Sequence, residues 1–444
     1  GLIGEADLLS LIPPSLGYAD LRKSAQTSAA TYSHIPIKVV QWVGFENDVN
    51  SMAARLNNDP QYPNPTFEQY SRVTNEEAVR RALSSNVLRK LDILGSRRNP
   101  PEEFNDHSAM QEITGEPDFI LCRYVSDQNV IPLIAVEVKT KWVLSFPPGN
   151  LISKYNTEEA RRQNHQIGDG GCSPLHPVKQ IYGYLGHNCL QYGVLTTYNQ
   201  SWFLRRPSEP HGNLYISPAI AIDNVQPTLL QCFAYLILLA HAGHTSIAPL
   251  SSPALALIPD EPPSKRRRGN RGSRGSRKPA RGSGSGTGSS KGSHHQVAGG
   301  RQCSSELPRT MKLQLNDFDR QSVLGDGRSG KVFRAIWQKE EVALKICDLS
   351  KHPDYEEEML TEVEVYYALE DLQGHYIPKL KAAGYAYGKM FFLVATEIVG
   401  SPVKVDSLND QERHEIIKAL SQIHVHGFLH RDIRAENILF QLSN

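Results

Sequence analysis

Apolar residues recur at helical spacing between Asn75 and Leu94: Ala78, Val79, Ala82, Val87, Leu88, Leu91 and Leu94. That period predicts one amphipathic helix. Asn75 suits its N-cap, and Glu76 and Glu77 put negative charge in its first turn. The period then shortens. Phe119–Val125 and Val130–Val138 read as two strands joined by a turn at Ser126, Asp127, Gln128 and Asn129. An earlier apolar, β-branched run, Ile37–Val43, reads as a strand. After a polar, Gly-rich stretch from Asn164 to Ser173, a helix is expected over Pro177–Cys189. A hairpin follows, with Tyr192–Thr197 and Ser201–Leu204 around Tyr198, Asn199 and Gln200. The order helix, strand, strand, helix, strand predicts a compact α/β domain over residues 75–248, with residues 1–74 a region of mixed pattern. The most apolar run, Leu229–Ala240, is shorter than the roughly 20 residues a bilayer span needs and reads as a buried helix.

From about Pro249 to Gly300 the pattern stops, and Gly, Ser, Pro, Lys and Arg dominate. Such a segment buries too little apolar surface to offset its ordering entropy. Residues 249–310 are therefore read as a disordered linker, and folding resumes near Met311. The formal net charge is only +1, so the whole chain gives no argument for a nucleic-acid partner. The linker differs: Lys265-Arg266-Arg267-Arg268 is followed by Arg271, Arg274, Arg277, Lys278 and Arg281. This is the composition of a nuclear localisation signal or of a strip contacting phosphates; a solvated spacer is the alternative. Six scattered cysteines form no Cys-x-x-Cys pair and fit reduced thiols. The chain starts at Gly1 without a signal-peptide pattern, and is read as processed, trimmed or an incomplete gene model. No membrane partner is expected.

Residues 311–444 carry an ordered set of motifs. Gly325-Asp326-Gly327-Arg328-Ser329-Gly330-Lys331-Val332 has the form Gly-x-Gly-x-x-Gly-x-Val, whose small residues let backbone approach phosphates. Val342-Ala343-Leu344-Lys345 follows, with Lys345 placed to grip phosphates and Ala343 to face adenine. Glu362, Tyr366 and Leu369 share a helix face, which makes Glu362 the favoured carboxylate partner of Lys345, with Glu364 as its competitor. Met390–Ala395 is an apolar strand ending in Thr396 and Glu397, a gatekeeper position and the start of an adenine-binding hinge. His430-Arg431-Asp432-Ile433-Arg434-Ala435-Glu436-Asn437 matches His-Arg-Asp-x-x-x-x-Asn. Asp432 would accept the substrate hydroxyl proton, and Asn437 would hold a Mg²⁺. This set resembles the eukaryotic-type protein kinase family, which implies an α+β fold with an N-lobe and the start of a C-lobe, ATP and Mg²⁺ as cofactors, and a protein substrate. Arg434 stands where serine/threonine kinases usually carry lysine. The Asp-Phe-Gly element is expected beyond Asn444, so this stretch is read as a kinase domain truncated before it.

The α/β part holds a second constellation. Asp118 opens one predicted strand, and Glu137 and Lys139 share a face of the next. Two carboxylates with a nearby lysine suit metal-dependent phosphodiester cleavage: the carboxylates hold Mg²⁺ and the lysine orients water. Glu77 would add a metal-binding carboxylate, and Gln180 and Tyr184 could face the same cleft. A Glu and a Lys on a surface strand are the plainer alternative. The arrangement resembles the restriction-endonuclease-like PD-(D/E)xK superfamily. Joined to a kinase domain, it is similar to Crinkler-type effectors of fungi and oomycetes. That resemblance implies action in the nucleus, often of a host cell after secretion, and DNA as a partner. Two functions are expected in turn: a protein kinase fused to a Mg²⁺-dependent nuclease-like domain, or a nucleotide-binding pseudokinase tethered to a DNA-binding platform. The sequence leaves oligomeric state open.

Overall fold

The computed structural model describes residues 1–19, 35–106, 113–126, 129–147, 150–164, 173–207, 212–246, 311–327 and 329–440. The turn residues Asp127 and Gln128, most of the Gly-rich stretch before Ser173, the basic cluster Lys265–Arg281 and Arg328 lie outside them.

In the first part, β1 (Leu2–Gly4), α1 (Glu5–Leu9), β2 (Lys38–Gln41), α2 (Phe45–Ala53) and β3 (Gln61–Pro63) lead to α3 (Glu76–Leu83). A π-helical turn, Ser84–Leu88, joins α3 to α4 (Arg89–Gly95). The expected helix is thus continuous, with one wide turn inside it. There Asn86 is buried and bonds the Glu68 carbonyl and the Tyr198 hydroxyl. Asn75 caps the helix by accepting from the Ala78 amide at 2.9 Å. Next come β4 (Glu102–Asn105), β5 (Phe119–Ser126), β6 (Asn129–Val138), α5 (Asn150–Gln163), α6 (Leu175–His187), β7 (Tyr192–Thr196), β8 (Gln200–Arg205), β9 (Asn213–Ile216), β10 (Ile220–Ala221) and α7 (Leu229–Ala242). The sheet order is β2-β9-β8-β7-β6-β5-β4, with β10 on β8. Its β6–β7 and β2–β9 pairs are parallel and the rest antiparallel.

Successive side chains of the central strands point to opposite faces, and both faces are buried. Val136, Val138, Val194 and Phe203 pack with Leu83, Leu88, Leu229 and Phe233 on one side. Ala135, Leu195, Trp202 and Leu204 pack with Ile181, Tyr184 and Leu185 on the other. The apolar run Leu229–Ala240 is a helix buried in the first of these cores. Among the described residues no helix is long and apolar enough to cross a membrane.

The second part contains β11 (Met311–Leu313), β12 (Phe318–Gly327), β13 (Gly330–Trp337), β14 (Glu340–Asp348), α8 (Tyr355–Ala368), β15 (Leu380–Ala386), β16 (Phe391–Glu397), β17 (Ser401–Pro402), α9 (Asp410–Val425) and β18 (Leu439–Phe440). Six strands form a sheet in the order β11-β15-β16-β14-β13-β12. The core on the α6 side of the first sheet continues through Phe318, Phe333, Leu344, Met390 and Phe391 of the second. His187 of α6 lies with its ring 3.7 Å from that of Tyr387. The two sheets therefore share one apolar core.

Candidate functional site

The glycine turn sits between β12 and β13, where Gly327 faces Gly330 and Val332 is paired with Lys345. Gly330 has φ of 136°, and a Cβ there would stand 2.0 Å from the Ile346 carbonyl oxygen. Only glycine fits this close approach of strands. Gly325 and Gly327 are exposed at the rim. On β14, Ala343 pairs with Thr396 and Val342 with Glu397, so the expected adenine-facing alanine meets the expected hinge. The Glu397 amide donates to the Lys379 carbonyl at 2.9 Å, and its carboxylate accepts from the Lys379 amide.

Lys345 Nζ donates to Glu362 Oε2 at 2.7 Å, while Glu364 is exposed one face away. The helical period thus selects the carboxylate that the structure pairs. Asp432 is exposed and bound on both oxygens by Arg434, at 2.8 Å each. That guanidinium holds its carboxyl below the ordinary value. Asn437 Nδ2 donates to the Asp432 carbonyl at 3.0 Å and to Oδ2 at 2.9 Å, which leaves its amide oxygen for a cation. Hard oxygen donors of this kind fit Mg²⁺. No hydrogen bond or ion pair joins the Lys345–Glu362 pair to the Asp432–Asn437 group among the described residues.

With this geometry in view, residues 318–444 match the protein kinase domain family. They form a kinase-like domain. A serine/threonine-protein kinase CBK1 of Pneumocystis carinii is 30% identical over 151 residues, covering 30% of this chain and 28% of that protein. An Aurora kinase of Saccharomyces cerevisiae is 28% identical over 154 residues, covering 31% and 40%. The serine/threonine-protein kinase sax-1 of Caenorhabditis elegans is 29% identical over 155 residues, covering 30% of each. The chain spans well under half the length of these relatives.

The second constellation is assembled too. Asp118 precedes β5, and its Oδ2 accepts the Val138 amide at 2.7 Å, which fixes it beside β6. Lys139 extends β6 through its amide bond to the Thr196 carbonyl, and its Nζ reaches Glu137 Oε1 at 2.5 Å. Arg80 of α3 reaches Asp118 Oδ1 at 3.2 Å. Glu77 does not join the cluster: it points to solvent and pairs with Arg80 on its own helix. Glu76 stands on the inward side instead, 3.8 Å from Lys139 Nζ. The buried Val79 and Leu83, three and seven residues on, fix that inward face, so helical phase could have chosen Glu76.

One participant comes from the kinase-like domain. Lys351 Nζ donates to Asp118 Oδ1 at 2.9 Å and to Glu137 Oε1 at 2.8 Å. It belongs to the loop between β14 and α8, which Asp348 organises. Asp348 is buried and accepts from the Ser350 amide and hydroxyl, the Lys351 amide, the Glu116 amide and the Tyr184 hydroxyl. Gln180 and Tyr184, expected at the carboxylate cluster, bond each other and Ser350 of this loop. Outside it, His352 pairs with Glu116 at 2.8 Å.

Burial alone would raise the Asp118 carboxyl, but Lys351, Lys139 and Arg80 together hold it below its ordinary value. Burial and the Asp118 charge push Glu137 up against the same lysines. Glu137 Oε2 is buried without a hydrogen-bond partner. A carboxylate pair with a spare buried oxygen fits a divalent cation that prefers oxygen. A cavity of about 540 Å³ lies elsewhere, lined by Leu9, Leu91, Asp92, Glu102, Phe104 and Tyr235 among others, and takes in none of these groups.

Proposed function

We propose that the kinase-like domain binds Mg·ATP and transfers its γ-phosphoryl group to a protein. The observation that carries this reading is the Lys345–Glu362 ion pair beneath the Gly325–Gly330 turn. Lys345 positions the phosphates, Glu362 holds Lys345, and the glycine turn lets backbone amides approach. Ala343 and the β16 end at Glu397 accept the adenine. Asp432 takes the proton of the substrate hydroxyl once Arg434 moves onto phosphate. Asn437, through its free amide oxygen, would hold Mg²⁺, which when bound neutralises phosphate charge. Calorimetry tests this directly: the chain takes up Mg·ATP and Lys345→Met loses most of that uptake. Phosphate incorporation into a generic protein substrate falls by orders of magnitude in Asp432→Ala. Lack of uptake by a folded wild-type chain sinks the reading; uptake without incorporation supports the nucleotide-binding pseudokinase instead.

A second activity is favoured by the Asp118–Glu137–Lys139 cluster, in which two buried carboxylates and a lysine converge on one point. We read residues 75–248 as a restriction-endonuclease-like domain that cleaves or grips DNA. Asp118 and Glu137 would hold Mg²⁺, and Lys139 steadies the charge developing on phosphate. We read the basic stretch Lys265–Arg281 as a nuclear localisation signal or a strip contacting phosphates. Plasmid nicking with Mg²⁺, abolished by Lys139→Ala, is the expected result.

A further inference from the structure

We infer that the Asp118–Glu137 pair is a divalent-cation site with a built-in competitor, Lys351, so that a bound cation and a seated 348–352 loop exclude one another. The inference rests on the cation-dependent reading of this cluster and adds the group that closes it. Lys351 Nζ lies 2.9 Å from Asp118 Oδ1 and 2.8 Å from Glu137 Oε1, between the oxygens a cation would bridge. An ammonium there leaves no room for a second positive ion between them.

Charge and chain path both single out Lys351. Lys139 directly follows β6, two residues from Glu137, and its amide is tied to the Thr196 carbonyl of the neighbouring strand. Lys351 arrives on a loop from 214 and 233 residues away in sequence. It brings one positive charge to two carboxylates, and Glu137 Oε2 is left buried without a partner. A divalent ion offers twice the charge and can use that spare oxygen. The seated loop also buries the site: side-chain exposure is 13% for Lys351, 4% for Asp118 and 0% for Glu137. A phosphodiester cannot reach the carboxylates while the loop is in place. The loop is built for that seat, since Asp348 ties its amides to Tyr184 and Glu116 of the opposite part.

The test is Mn²⁺ calorimetry on the full chain in four forms: wild type, Lys351→Gln, Asp118→Asn and the double variant. Lys351→Gln is expected to bind Mn²⁺ at least about tenfold more tightly than wild type, because its competing charge is gone. Asp118→Asn should erase that gain. Equal Mn²⁺ affinity in wild type and Lys351→Gln, with Asp118→Asn weaker than both, would overturn the competition and leave the cation site standing. Absence of Mn²⁺ binding in every form would overturn the cation site and this inference with it. Should Lys351→Gln fail to fold, lysine acetylation of the wild-type chain, read by mass spectrometry, decides. Saturating Mn²⁺ is expected to raise modification of Lys351 severalfold relative to the half-buried Lys389, which pairs with Glu356 away from the site. An unchanged ratio overturns the competition.

Discussion

At Gly330 the backbone holds φ of 136° with the Ile346 carbonyl 2.0 Å from where a side chain would begin. Gly330→Ala therefore forces β13 away from β14, at a cost of about 2 kcal/mol or more. A lower urea midpoint together with weaker Mg·ATP uptake checks this; an unchanged midpoint would show the strands are not held so closely. Asp348 gives a second residue-scale test. It is buried and satisfies Ser350, Lys351, Glu116 and Tyr184 at once. Asp348→Ala leaves these donors unpaired and is expected to cost about 3 kcal/mol. It should also increase proteolysis of the β14–α8 loop, measured by mapping early cleavage sites.

Among the elements, α7 depends on its first turn. Thr228 accepts from the Gln231 amide, Gln231 accepts from the Thr228 amide, and the buried Thr228 hydroxyl donates to the Leu9 carbonyl. Thr228→Ala removes the cap and orphans that carbonyl, so a loss of about 1–2 kcal/mol is expected from chemical denaturation. Elements with a clean period were legible in the sequence: the helix after Asn75, the β5–β6 pair and the β7–β8 hairpin all follow their apolar spacing. The helix α5 was not, because its inward face carries Glu159, paired with Lys179, beside Leu151 and Tyr155. A buried ion pair reads as surface in a hydrophobicity pattern. The kinase motifs were legible because Lys345 and Glu362 lie within one local unit of strand and helix. Lys351 carried no local signal: its partners are Asp118 and Glu137, in the other part of the chain.

For the whole molecule, pH dependence follows from groups that burial has shifted. Burial pushes the Asp92 carboxyl up to about 7, partly offset by the Phe104 amide it accepts. A carboxyl raised in the folded state binds its proton more tightly there than in the unfolded chain. Its contribution is thus fully present below its unfolded value near 3.8 and is lost as pH rises through about 7. Wild type is expected to lose melting temperature between pH 5 and pH 8 by an amount that shrinks in Asp92→Asn. An identical slope in both proteins would refute the assignment. Asp118, Glu102 and Glu159 are shifted the other way, so the difference between the two proteins isolates Asp92.

Lys345 lies on β14 and Lys351 on its exit loop, and α8 with Glu362 follows directly. Reciprocity then binds the two ligands to a single factor. If nucleotide at Lys345 loosens the grip of Lys351 on its carboxylates, a divalent ion held there must tighten nucleotide by the same ratio. Titrating either ligand against a fixed excess of the other reads out that ratio, and the two titrations have to agree.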